Sequence, residues 1–421
     1  MKCIFNNFAN NKNRATLLIF LGWLVYTVSY FGKVNYSANI TQIIDFYNVS
    51  KAQAGTVPTF FFFAYGIGQV VNGLFCKKYN IKWMIFISLI TSGLVNLIIA
   101  IGSDFSVIKW LWLINGFALS ILWPTLIRLI SESIPQKNLS TSSIVMGTTV
   151  ATGTLIIYGL SSLFAFFNKF KFSFYTAAVS IIIVSVIWLL LYNKLVDIAK
   201  KEKAEEKISV KFTSEEMAEY HNETSDNKIF FASLCVLCFC AIGVNLIKDG
   251  LTTWVPSILK EEFSISDSTS ILLTLFLPIL AVFGNAYAIS VHKKIPDYVN
   301  HCGVIFAAIA VTIGVIIGSL SMKLVFFMLL GLVVSNFFAS SLNSLITSIY
   351  PLFMRGRINS GLVAGVLNGF CYLGSTMSSY GLGVIADNFG WISVFLVLTG
   401  FCCLTFIVWG FYSLLKRSEK K

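Results

Sequence analysis

The stretch LVYTVSYFGKVNYSANI, Leu24–Ile40, decides how this chain is read. It lies in an apolar run long enough to cross a bilayer, yet Lys33 stands near its middle. A charge at that depth is costly, and residues that carry one are rare and usually functional. A second such lysine, Lys248, lies in NLIKDGLT, Asn245–Thr252. These are the only basic residues deep in apolar runs, and they stand 215 positions apart (248 − 33). The same offset carries Gly116 and Ser120 of NGFALS onto Gly331 and Ser335 of LGLVVS. One offset that matches both a buried charge and a helix pattern indicates an internal duplication.

The rest of the sequence fits that frame. The chain has 421 residues, 56% hydrophobic and 12% charged. Soluble domains carry about 25% charged residues, so the composition is that of a membrane protein. Apolar runs fall at about 17–40, 53–76, 83–103, 108–131, 141–167, 173–193, 229–257, 269–291, 302–320, 324–348, 358–383 and 391–414. Each is close to or above the ~20 residues a transmembrane helix needs, and none shows the short alternating segments of a barrel. Twelve helices are therefore expected, in an all-α fold of two pseudo-symmetric six-helix halves. The first half is 1–193 and the second 228–421. Residues 194–227, with KKEKAEEK at Lys200–Lys207, read as a solvated tether, either helical or disordered.

Charge sets the orientation. Of the 31 lysines and arginines, Lys33 and Lys248 are internal, and Lys51, Lys109, Lys169, Lys171, Lys260 and Lys323 lie at one set of turns. The other 23 lie at the termini and the opposite turns, so the positive-inside rule places both termini in the cytoplasm. The net charge of +12 is thus a topology signal and leaves no basic patch for nucleic acid. A multi-pass protein of the cytoplasmic membrane is expected, without a cleavable signal peptide.

With Arg14 and Asp45 as flanks, Lys33 lies ~28 Å from one and ~18 Å from the other. Lys248 sits at a matching depth between Lys228 and Lys260. Snorkelling does not span ~18 Å. Asp249 is the only carboxylate deep in any span; it can pair with one lysine but cannot neutralise two. An excess positive charge remains in a central cavity and attracts anions. Tyr26, Tyr30, Lys33 and Ser37 share one helix face, and Asn245, Lys248 and Thr252 share another. Donors on facing stripes suit an oxyanion that carries hydroxyls.

Catalytic and cofactor signals do not accumulate. His221, His292 and His301 stand in loops or at helix ends, away from any nucleophile, and there is no phosphate-binding G-x-x-x-x-G-K-[ST] loop. Cys235, Cys238 and Cys240 imitate a metal spacing inside a span and read as packing. Gly66 and Gly68 read as close helix packing. No metal, cofactor or enzymatic activity is expected.

Three stretches carry a family resemblance: LWLINGFALSILWP (Leu111–Pro124), KDGLTTWVPSILKE (Lys248–Glu261) and AGVLNGFCYLGSTMSSYGLGVIADNFGW (Ala364–Trp391). The chain resembles the major facilitator superfamily, and within it the organophosphate:phosphate antiporters of the glycerol-phosphate and hexose-phosphate type. That resemblance implies a basic residue on each of helices one and seven at the central site, here Lys33 and Lys248. It also implies binding roles for Tyr26, Tyr30, Tyr65 and Tyr372, with Gln69, Asn245, Asn336 and Asn368 completing the site. Lysines replace the usual arginines, Gln69 stands where the glycerol-phosphate type has a lysine, and Thr149 falls near the place of a histidine. Lys77 occupies the usual acidic position after helix two. The function implied is exchange of a sugar phosphate or glycerol phosphate for inorganic phosphate by a monomer in the lipid bilayer. A non-phosphate organic anion on the same fold, or a sensor of external phosphoester, remains open. Asp249 is left as either a coupling residue or an ion-pair partner.

Overall fold

The computed structural model describes residues 14–75, 79–102, 104–209, 227–295, 297–353 and 360–418. Lys77 and residues 210–226 of the central loop lie outside them. Among the described residues there is no strand.

Twelve spans follow one another. The first is Arg14–Ala38, continued by Ile40–Tyr47 past a break at Asn39. The second and third are Lys51–Phe75 and Ile81–Ile101. The fourth joins Phe105–Ser120 to Leu122–Ser133, and the fifth joins Leu139–Gly147 to Thr149–Phe166. Lys171–Ser209 is the sixth and Asn227–Phe263 the seventh. The eighth is broken into Asp267–Thr274, Phe276–Ala281 and Gly284–Lys294. The ninth is Tyr298–Ser321, and the tenth is Val325–Ser344 extended by a π-helical turn at Leu345–Ile349. The last two run continuously through Ser360–Ser418 and divide at Gly390, whose φ of 77° and ψ of 175° interrupt the helix. Only glycine adopts that combination without strain.

Local chemistry sets several boundaries. Asn80, Ser266 and Asp297 cap the third, eighth and ninth spans through bonds to the amides of Lys82, Thr269 and Asn300. At the break in the first span, Asn39 Nδ2 donates to the Asn35 carbonyl and to Ser161 Oγ. Buried polar side chains of this kind fasten helices in lipid, where water supplies no partner. Small residues admit close backbones: a Cβ on Gly374 would fall 2.1 Å from the Ile242 carbonyl oxygen, so the eleventh span lies directly on the seventh. Gly374→Val is therefore expected to force the two apart at about 1–3 kcal/mol. The check is thermal unfolding in detergent, where an unchanged midpoint would refute the close approach.

The expected tether begins as helix. At 39 residues the sixth span is ~58 Å long, about twice the hydrocarbon thickness, so it projects from the bundle. The projection docks on the first half: Glu202 accepts from the Ala15 amide and pairs with Lys137, and Lys203 reaches the Ser131 and Glu132 carbonyls. The polar composition that suggests a free linker instead supplies the contacts that hold this helix down.

Candidate functional site

The geometry around Lys33 starts from its backbone. Asn115 Nδ2 of the fourth span donates to the Gly32 carbonyl at 2.7 Å, and Asn35 Nδ2 donates to Asn96 Oδ1 of the third span at 2.8 Å. These bonds fix the back of the first span and turn Lys33 toward the second half. Its ammonium stands 4.4 Å from the ring centre of Tyr65, 5.1 Å from Tyr30, 5.7 Å from Tyr372 and 5.9 Å from Phe61. Three spans thus build an aromatic box around one cation, and the electron-rich ring faces offset part of its desolvation. Among the described residues Lys33 forms no ion pair.

The box is packed within itself. Tyr65 and Tyr372 have ring centres 4.7 Å apart across the junction of the second and eleventh spans. Tyr26 lies 5.5 Å from Tyr30 and 4.8 Å from Trp123. Beside Tyr65 on the same span, Gln69 Nε2 donates to the Ser120 carbonyl.

Lys248 has different company. Its ammonium is 3.8 Å from Asp249 Oδ1, and its side chain is 30% exposed, so it faces open space beside a carboxylate. Asp249 Oδ2 accepts from Ser375 Oγ at 2.5 Å, and Asn245 Nδ2 donates to the same Ser375 oxygen at 3.2 Å. Asp249 also acts electrostatically on Lys33, Tyr30 and Tyr372. The two lysines are therefore inequivalent: one is boxed by rings, the other paired.

Most of the residues singled out from the sequence meet here, namely Tyr26, Tyr30, Lys33, Tyr65, Gln69, Asn245, Lys248, Asp249 and Tyr372. Asn336 is buried, and its Nδ2 donates to the Leu277 carbonyl of the eighth span. Asn368 is half-buried one turn before Tyr372. Thr149 is buried with its hydroxyl on the Met146 carbonyl. Phe61, Trp123 and Ser375 join the site without having been expected. Phe61 lies one helical turn before Tyr65 and Ser375 three residues after Tyr372, so each shares a helix face with an expected tyrosine, but that spacing alone does not set them apart from packing residues.

Away from the termini, the two halves are tied by charge. Lys51 at the start of the second span pairs with Glu261 at 3.1 Å and Asp387 at 3.5 Å. Asp387 also accepts from the amides of Lys51 and Ala52, so it caps a helix of the other half. Lys260 bridges Asp45 at 2.6 Å and Asp267 at 2.9 Å. Asp45 and Lys260 are related by the same 215-residue offset as the site lysines, so their pair sits on the pseudo-twofold axis.

Twelve spans, an internal repeat and a polar site between the halves define a multi-pass secondary transporter. The chain belongs to the Major Facilitator Superfamily, whose model matches residues 22–360. It is similar to a probable hexose phosphate transport protein of Chlamydia pneumoniae, 21% identical over 90% of this chain and 86% of that one. The hexuronate transporter of Bacillus subtilis is 24% identical over 93% and 92%. The inward-facing, occupied crystal structure of a bacterial homologue of the human lysosomal transporter Spinster superposes with a TM-score of 0.73 at 14% identity, covering 97% and 98%.

Proposed function

We propose that the protein exchanges a sugar phosphate for inorganic phosphate across the cytoplasmic membrane by alternating access. The observation that carries this reading is the Lys33 ammonium, held by four rings and without an ion-pair partner among the described residues, while Lys248 of the other half stands beside Asp249. With Asp249 present the three charges leave the empty site at +1. Closing the halves over an unneutralised cation is costly, and a bound anion removes that cost. Loaded carrier then reorients faster than empty carrier, which is the requirement for exchange. The similarity to hexose phosphate transport proteins supports a phosphate ester as the organic partner. The excess of basic residues at the termini supports a cytoplasmic position for both ends. Residues 1–193 and 228–421 would be the two moving bodies.

The similarity to a hexuronate transporter over nearly the full chain favours a second reading, a sugar carboxylate on the same lysines. Proteoliposomes separate the two. Labelled glucose 6-phosphate is expected to enter vesicles loaded with inorganic phosphate and hardly to enter empty ones. Rapid uptake of glucuronate, with none of glucose 6-phosphate, would replace the first reading by the second. Entry into empty vesicles under a proton gradient, lost in Asp249→Asn, would make Asp249 a proton-coupling residue.

A further inference from the structure

The site is polar in a directional sense. The first half presents donors, namely the Lys33 ammonium and the hydroxyls of Tyr26, Tyr30 and Tyr65. The second half presents, beside the Lys248 ammonium, two acceptors, Asp249 and Asn245. Asp249 holds one oxygen on Ser375 and turns the other toward Lys248 at 3.8 Å, a separation too long for a hydrogen bond. Its side chain is 18% exposed, so the carboxylate is not sealed off by the fold. Beside it, Asn245 is 4% exposed; its amide nitrogen is committed to Ser375, and its Oδ1 has no partner among the described residues. A buried acceptor without a donor is uncommon and costs free energy until something supplies one. Inorganic phosphate is repelled by Asp249 and, as mono- or dihydrogen phosphate, carries its one or two O–H donors on the charged group itself, so it cannot reach these acceptors while its charge stays at Lys33. A ligand with hydroxyls at one end and an anionic group at the other satisfies both halves.

We infer that Asp249 and Asn245 form a hydroxyl-recognition pole, which orients a polyhydroxylated anion with its charged group at Lys33 and its hydroxyls on the second half. This rests on the exchange reading above and adds the orientation of the substrate and the source of its preference over inorganic phosphate. Ser375 is a positioning residue here: it holds one Asp249 oxygen so that the other faces the ligand.

The test is a ratio of affinities, measured by competition on purified full-length protein. Wild type is expected to bind glucose 6-phosphate more tightly than inorganic phosphate. A hydrogen bond to a charged group contributes about ten- to a hundredfold. Asp249→Asn is expected to weaken glucose 6-phosphate by about that factor and to tighten inorganic phosphate, because a negative charge leaves the cavity. Ser375→Ala keeps every charge and is expected to lower the same ratio by a smaller factor. Glucuronate against acetate repeats the comparison for carboxylates. If wild type binds only the carboxylate pair and Asp249→Asn collapses that ratio, the pole stands and the phosphate reading falls. A ratio unchanged in Asp249→Asn, or both ligands weakened in parallel, overturns the pole and leaves exchange intact. Binding of neither pair by wild type overturns both.

Discussion

Lys33→Gln is expected to weaken binding of inorganic phosphate and of glucose 6-phosphate by about a hundredfold or more, with the protein still folded and inserted. Each charge-assisted bond to an anion contributes about 1.5–3 kcal/mol, and a phosphoryl group on this ammonium makes more than one such contact or a close equivalent. The variant also removes the ion that the aromatic box surrounds. Tyr30, Phe61, Tyr65 and Tyr372 then pack about a neutral amide, so thermal stability should hold or rise, since a buried cation is costly without its anion. Lys248→Gln should cost less. It removes a cation that Asp249 already offsets in part, and the accompanying Asp249→Asn should return some of the lost affinity for inorganic phosphate by removing the exposed carboxylate. Lys33→Arg should retain partial function, because a guanidinium also binds phosphate and stacks on rings. Titration calorimetry with a thermal-shift control decides the point; wild-type affinity in Lys33→Gln would show that the boxed lysine is structural.

The two lysines were legible because a charge in an apolar run contradicts its surroundings, and the contradiction survives without any knowledge of packing. The 215-residue offset was legible for the same reason. The aromatic box was only half legible. Tyr26 and Tyr30 share a helix face with Lys33, and Tyr65 and Tyr372 came from family resemblance, whereas Phe61 and Trp123 look like every other ring in a chain with 38 phenylalanines and nine tryptophans. Ser375 was hidden because a serine in a span is ordinary helix packing until an acceptor on another helix is known. Asn336 was named with the resemblance, and its amide nitrogen donates to the Leu277 carbonyl of the broken eighth span. The helix running on to Ser209 was one of two readings of a charged stretch, and composition did not choose between them; the docking contacts of Glu202 and Lys203, which decide for helix, are not visible in sequence.

Cross-linking the end of the bundle away from the termini is expected to abolish exchange and leave ligand binding intact. Asp45 and Lys260 join equivalent points of the two halves, so they must part if the halves rock open at this end of the bundle. The Asp45 side chain is 62% exposed, and exposed ion pairs contribute only about 0–1 kcal/mol each. Neutralising one residue, as in Lys260→Gln, should therefore change the exchange rate by a small factor, because Lys51 still holds Glu261 and Asp387. A covalent tie is different in kind. With Asp45→Cys and Lys260→Cys in a background lacking the nine native cysteines, a short bifunctional thiol reagent would bridge the two halves. Exchange in proteoliposomes should fall to background and return when the bridge is reduced. Phosphate should still reach Lys33 in the bridged protein, because the bond joins residues that already touch and leaves the other end free to admit it. Undiminished exchange with the bridge shown to be complete would mean that this end does not open, and that the charges gathered there hold the halves together permanently.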